Sequence, residues 1–157
     1  LAHGADIKLT TAHGETPVLV VVNARSREEE IIDTVRFLKS RGADLNGVSQ
    51  VIWYNRNCGG SALHLATRRN MKKVMAELVA LGEDPDLKDS DGLTALDYAQ
   101  SRGWLPALSV RPAPREDLVQ VLKGLGAKVE LTKVPDWAGE FPPIGPPRGH
   151  ETEIWPL

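Results

Sequence analysis

"GGSALHLATRRN", residues 59–70, sets two glycines, a hydroxyl, Leu63, His64 and Ala66 ahead of a basic cluster. Taken alone, His64 suits an acid, a base or a metal ligand as well as a hydrogen-bonding residue at a helix start. Recurrence separates these readings, because a building element repeats along a chain and a catalytic histidine has no reason to.

The phrase does come back. Gly14-Glu15-Thr16-Pro17-Val18, Gly60-Ser61-Ala62-Leu63-His64 and Gly92-Leu93-Thr94-Ala95-Leu96-Asp97-Tyr98-Ala99 form one set. They alternate with Gly4-Ala5-Asp6-Ile7, Gly42-Ala43-Asp44-Leu45, Gly82-Glu83-Asp84-Pro85 and Gly126-Ala127-Lys128-Val129. Thr16, Ser61 and Thr94 are residue types that cap a helix by accepting a backbone N–H, and Pro17 suits the first helical position. Helix-period apolar runs lie between the phrases: Ile31, Val35 and Leu38; Met71, Val74, Met75, Leu78 and Leu81; then Leu118, Val121, Leu122 and Leu125. Ser26-Arg27-Glu28-Glu29 has capping-box spacing and starts a helix near residue 27. The glycine after each run accepts the left-handed conformation of a helix C-terminus. Each unit therefore reads as helix, tight turn, helix, glycine stop and Asp-rich connector, and buries its apolar face only by stacking on a neighbour.

In this alternation the sequence resembles the ankyrin repeat family, with its 33-residue period and Thr-Pro-Leu-His-x-Ala signature. Ser61 to Thr94 is a 33-residue step. The likeness covers roughly residues 1–130 and implies an all-α, ankyrin-type α-solenoid with a Pro-rich extended C-terminal tail. It divides the chain into the end of a preceding repeat (1–13), repeats at 14–47, 59–91 and 92–130, an inserted loop at 48–58, an insert at 104–114 inside the last repeat, and a tail at 131–157. Leu19 and Asp97 stand where His64 stands, and Val21 replaces the small Ala66. Thr16 to Ser61 is 45 residues, with the surplus partly around residues 25–30 and mainly in 48–57. The resemblance gives His64 a structural role, its imidazole tied to backbone near the turns.

Composition limits function. A net charge of −2 provides no general basic field for nucleic acid or acidic lipid. The longest apolar run, Val18–Val22, is far short of the roughly 20 residues of a membrane span. The single Cys58 excludes an internal disulfide and multi-cysteine zinc patterns. It leaves the compartment open, with cytoplasmic as the default. The four histidines, at 3, 13, 64 and 150, show no ligand spacing, and phosphate-loop, dinucleotide and nucleophile-elbow motifs are missing from the sequence. Cys58 beside Arg56 lacks an evident base. Asp84, Asp86, Asp89 and Asp91 read as turn residues, since calcium-loop spacing is not met. No catalytic residue, metal site or cofactor is expected.

The resemblance implies a protein partner bound along connector tips and first helices, on a concave side. Carried over by position, these are Lys88, Ser90, Asp91 and Leu93, then Leu65, Arg69, Tyr98 and Arg102. Arg68, Arg69, Lys72 and Lys73 read either as a solvated turn or as a patch for an acidic partner. In the insert, Val51, Ile52, Trp53 and Tyr54 crowd apolar and aromatic surface where a short polar connector belongs, and such residues anchor interfaces. They either fold back over the stack or hold a partner. The tail holds six of the eleven prolines together with Trp137, Phe141 and Trp155, and docks on this chain's last repeat or on another subunit. The function expected is a non-catalytic protein-interaction module using the concave face, the loop and the tail. The alternative is an accessory subunit or C-terminal domain of a larger enzyme or complex.

Overall fold

The computed structural model describes residues 6–49, 52–53, 56–57, 60–90, 92–100 and 115–128. Among the described residues, six helices form in three consecutive pairs: α1 (Pro17–Asn23) with α2 (Glu28–Ser40), α3 (Ala62–Arg68) with α4 (Lys72–Ala80), and α5 (Ala95–Ala99) with α6 (Glu116–Gly124). First helices pack on first helices, α1 on α3 and α3 on α5, while α2 packs on α4 and α4 on α6. One apolar core runs through all three pairs, from Leu19, Val22, Ile31 and Val35 through Leu63, Met75 and Leu78 to Leu96, Leu118 and Leu122.

The predicted caps form, with different chemistry in each unit. Thr16 Oγ1 accepts the Leu19 N–H at 3.3 Å, and Leu19 has nothing to return. In α5 the exchange is reciprocal: Thr94 Oγ1 accepts the Asp97 N–H at 3.3 Å, and Asp97 Oδ2 accepts the Thr94 N–H at 3.0 Å. His64 does for α3 what Asp97 does for α5, its Nδ1 accepting the Ser61 N–H at 3.2 Å. Histidine and aspartate at one repeat position are thus two acceptors for one orphan donor. Gly60 is required beside it, since a Cβ there would lie 2.8 Å from the His64 Cβ.

The helix stops also form. Gly42, Gly82 and Gly126 take φ of 89°, 102° and 96°. The following N–H of Ala43, Glu83 and Ala127 donates to Leu38, Leu78 and Leu122 O at 3.0, 2.9 and 3.0 Å, the paired closure of a Schellman motif. The Ser26 capping box is not made: Arg27 is the N-cap and gives no side-chain capping bond. Three consecutive glutamates in the first turn supply favourable charge instead.

Regular connectors share one hydrogen-bond pattern. Thr11 N–H donates to Glu15 O at 3.0 Å and Asp89 N–H to Leu93 O at 2.8 Å, closing a narrow loop over three residues. In the connector between α2 and α3 the same bond runs from Ser49 N–H to Gly60 O at 3.2 Å, and the loop it closes holds ten residues, 50–59. The insert lies above an intact base, beginning two residues later and ending one residue later than the 48–58 expected from the sequence. It also departs from an all-α reading: β1 (Ile52–Trp53) and β2 (Arg56–Asn57) form an antiparallel ladder, Ile52 opposite Asn57 and Trp53 opposite Arg56. The insert at 104–114 and the tail at 131–157 lie outside the described residues.

Candidate protein-interaction surface

The cross-unit bonds come first, because they decide which side chains remain to meet a partner. His64 is buried at 1% exposure. Since Nδ1 accepts from Ser61 N–H, the ring proton resides on Nε2, which donates to Leu93 O in the next unit at 3.0 Å. Burial holds its pKa below the ordinary histidine value, so the ring is neutral at physiological pH. Tyr98 meets the imidazole edge-on with centroids 5.5 Å apart, donates to Asp89 Oδ2 at 2.6 Å, and carries the Arg68 guanidinium 4.5 Å above its ring. Burial raises the Tyr98 phenol above its usual value. His64 is therefore a joint between repeats, which answers the question raised by residues 59–70.

The basic cluster serves joints as well. Arg69 Nη1 donates to the Val22 and Ala24 carbonyls at 2.6 and 2.7 Å, closing the C-terminus of α1 from the following unit. Lys73 pairs with Glu29 at 2.6 Å and Lys72 with Asp117 at 2.7 Å. In return, Glu28 Oε2 accepts the Lys73 N–H at 3.0 Å and the Val74 N–H at 3.4 Å. α4, whose own N-cap Met71 makes no side-chain bond, is thereby capped from the unit before it. Arg36 adds two bonds to Glu77, at 2.7 and 2.8 Å. These cationic side chains register one unit on the next.

Connectors are joined in the same way. Asp44 and Asp84 each accept the N–H two residues ahead, at 2.9 Å in both. Asn46 Oδ1 then accepts the Asp84 N–H at 2.9 Å, and Asp86 Oδ1 the Lys128 N–H at 2.7 Å. Asp84, Asp86 and Asp89 are turn residues, as read from sequence, while Asp91 lies outside the described residues. No group of three or more His, Cys, Asp or Glu side chains among the described residues could hold a metal ion, and no described helix is long and apolar enough to cross a membrane.

The sequence-derived contact residues divide accordingly. Leu93 is buried at 2% exposure and is not a surface contact: its carbonyl and N–H bind His64 and Asp89. Tyr98 lies on α5 and Arg69 is the C-cap residue of α3, just past the first helix it was expected on, and both are engaged in the bonds above. Lys88 and Ser90 are exposed on a connector, each with an interaction of its own. Ile52 and Trp53 are placed together in the ladder of the insert. Val51, Tyr54, Arg102, Trp137, Phe141 and Trp155 lie outside the described residues.

Three features escaped the sequence reading. Val20, Phe37 and Leu9 are exposed apolar side chains, at 47%, 49% and 67%. Counted back from the stop glycines, Phe37 occupies the position of Glu77, which the Arg36 of the preceding unit covers, and of Val121, which packs on the core. Glu83 is the second: a carboxylate at 2% exposure where Ala43 and Ala127 stand in the neighbouring connectors. The third is the capping of α4 by Glu28, which pairs residues about 45 positions apart.

No family model matches the chain. It is similar to the probable E3 ubiquitin-protein ligase XBOS34 of Oryza sativa subsp. japonica, 29% identical over 102 residues, which is 65% of this chain and 18% of that protein. It is similar also to the putative ankyrin repeat protein L271 of Acanthamoeba polyphaga mimivirus, 30% identical over 95 residues, or 60% of this chain and 12% of that one. A third relative is the human SH3 and multiple ankyrin repeat domains protein 2, 32% identical over 93 residues, or 59% and 4%. The chain matches less than a fifth of the length of each. Its paired helices, glycine stops and reciprocal caps thus go with a likeness, over about three fifths of its length, to proteins named for their ankyrin repeats.

Proposed function

We propose that this chain is a non-catalytic protein-binding platform, an ankyrin-type solenoid of repeats at 14–47, 59–91 and 92–130 that holds a partner through its inserted loop, its concave first-helix side and its aromatic tail. The observation that carries the reading is the insert. The base bond of this connector, Ser49 to Gly60, matches that of the regular connectors although ten residues separate its ends, which supports reading the insert as an addition to the stack. Its sequence, Val51-Ile52-Trp53-Tyr54, is of the kind that forms the centre of interfaces. The proposed contact includes Arg102 and the tail residues Trp137, Phe141 and Trp155, together with Lys88, Arg69 and Tyr98.

The test is a double substitution. Trp53→Ala with Tyr54→Ala is expected to leave helical circular dichroism unchanged, because both substitutions fall outside the six described helices. Binding of a partner identified from native extract and then purified falls by at least thirtyfold, the effect of losing roughly 2 kcal/mol of anchor energy. Unchanged affinity would remove the insert from the interface.

A second reading, as an accessory subunit or a domain of a larger assembly, is favoured by the exposed Phe37 and Val20 on the first unit and Leu9 in the segment before it. A catalytic companion co-purifying in fixed ratio would favour it over a free-standing platform.

A further inference from the structure

Glu83 follows the stop glycine of α4, at the position that Ala43 and Ala127 fill in the connectors on either side. The backbone there is the same in all three, each residue donating its N–H to the preceding helix. A long acidic side chain has therefore been placed where the fold requires only a methyl group, and it is turned inward. Oε1 accepts the Leu63 N–H in the first turn of α3 at 2.8 Å. Oε2 is buried and makes no hydrogen bond. A buried carboxylate with one oxygen unmatched is costly as an anion and much less so as an acid.

The surroundings add to this. Asp44, from the connector after α2, and Asp84, the next residue, are the charged groups facing it, and both oppose a further negative charge. From α3 come the Leu63 N–H and the Ser61 hydroxyl, which favour the anion without matching the burial penalty. The balance puts the carboxyl at about 7, against 4.5 in a free chain.

We propose that Glu83 is a proton-operated latch between the α4–α5 connector and the start of α3, closed when its carboxyl is protonated and released when it ionises. In the closed form Glu83 takes one proton from solvent, and the acid O–H turns to Ser61 Oγ. Ser61 Oγ lies 2.9 Å from His64 Nδ1 and donates to it, so the latch is tied to the joint that His64 makes with Leu93. Loss of the proton breaks the bond to Ser61 Oγ, and the buried anion, one oxygen unmatched, is drawn to water. That movement takes the acceptor from Leu63 N–H and loosens the helix carrying Leu65, Arg68 and Arg69. The latch is independent of whether this side binds a partner.

The sign follows from linkage: the folded state holds the Glu83 proton more tightly than the unfolded chain, so its contribution to stability is complete below 4.5 and declines as pH rises to about 7. Because His64 titrates in an overlapping range with the opposite sign, the quantity to measure is the difference between wild type and Glu83→Gln, which keeps the acceptor for Leu63 and cannot ionise. The ratio of their unfolding constants is expected to shift in favour of the glutamine variant by nearly tenfold per pH unit between 5 and 7, and then to level off. In wild type, the Glu83 side-chain carboxyl carbon resonance titrates with a midpoint near neutrality. Between pH 6 and 8.5 the Leu63 amide loses at least tenfold of its protection against hydrogen exchange, while Leu96, its counterpart in α5, does not. A carboxyl midpoint near 4.5, or a wild-type to Glu83→Gln ratio independent of pH, would overturn the proposal. If the glutamine variant does not fold, the wild-type resonance alone decides it.

Discussion

Replacing His64 with leucine is expected to destabilise the protein by about 2–5 kcal/mol. The change keeps apolar volume and removes two polar bonds from the interior. It leaves the Ser61 N–H without its acceptor and the Leu93 carbonyl without its donor, both at buried residues, and an orphaned buried group costs roughly 1–3 kcal/mol. The edge contact with Tyr98 is lost as well. His64→Asn separates the contributions: its side-chain oxygen can accept from Ser61 N–H, but the shorter side chain falls short of Leu93 O in the next unit, so about half the loss is expected. Urea unfolding followed by circular dichroism measures both. The pH profile gives an independent sign. Burial depresses the His64 pKa in the folded state, so the unfolded chain binds the extra proton, and stability complete above about 6.5 declines as pH falls below it. That acid limb disappears in His64→Leu. A loss under 1 kcal/mol with an unchanged acid limb would mean that the joint does not hold the repeats.

Leu78→Ala is expected to cost about 3–5 kcal/mol and to lower Tm by roughly 10 °C. Leu78 has no exposed surface. It lies in α4, the middle of the second-helix row, with α2 on one side, α6 on the other and α3 beneath. A cavity there has packed neighbours on every side and collapses poorly, which places the cost in the upper part of the range for leucine truncation. Set against a total stability of about 5–15 kcal/mol, one such loss brings the chain close to unfolding. A Tm within 2 °C of wild type would contradict the continuous core.

The fold was legible in the sequence where one residue governs its own neighbourhood. Thr16, Ser61 and Thr94 cap helices from within them, and a glycine after an apolar run has few other roles, so helix starts and stops could be placed to within a residue or two. The insert was legible as a break in period. Its ladder was not, because two-residue strands are too short to show an alternation.

Bonds between units were the hidden part. Nothing local to Arg69, Lys72 or Lys73 distinguishes a patch for a partner from a set of joints. The distinction depends on Val22, Ala24, Glu29 and Asp117, which lie in other repeats. Ser26 shows the reverse error, a local capping pattern overridden because α2 begins one residue later, at Glu28. Glu83 was visible as a departure from Gly-Ala-Asp, yet only burial shows that it points inward. Of the expected contact residues, Ile52 and Trp53 are placed by backbone, while Tyr98 and Arg69 are shared between surface and joints.

The most direct test of the stacking itself is a distance across it. With Cys58 replaced by serine, nitroxide labels at Ser40→Cys on α2 and Lys123→Cys on α6 can be measured by double electron–electron resonance. Two successive helix spacings of about 8–10 Å put the labelled backbones roughly 20 Å apart, with α4 between them. A separation near a single spacing, as if α2 and α6 lay side by side in a globule, would contradict the account.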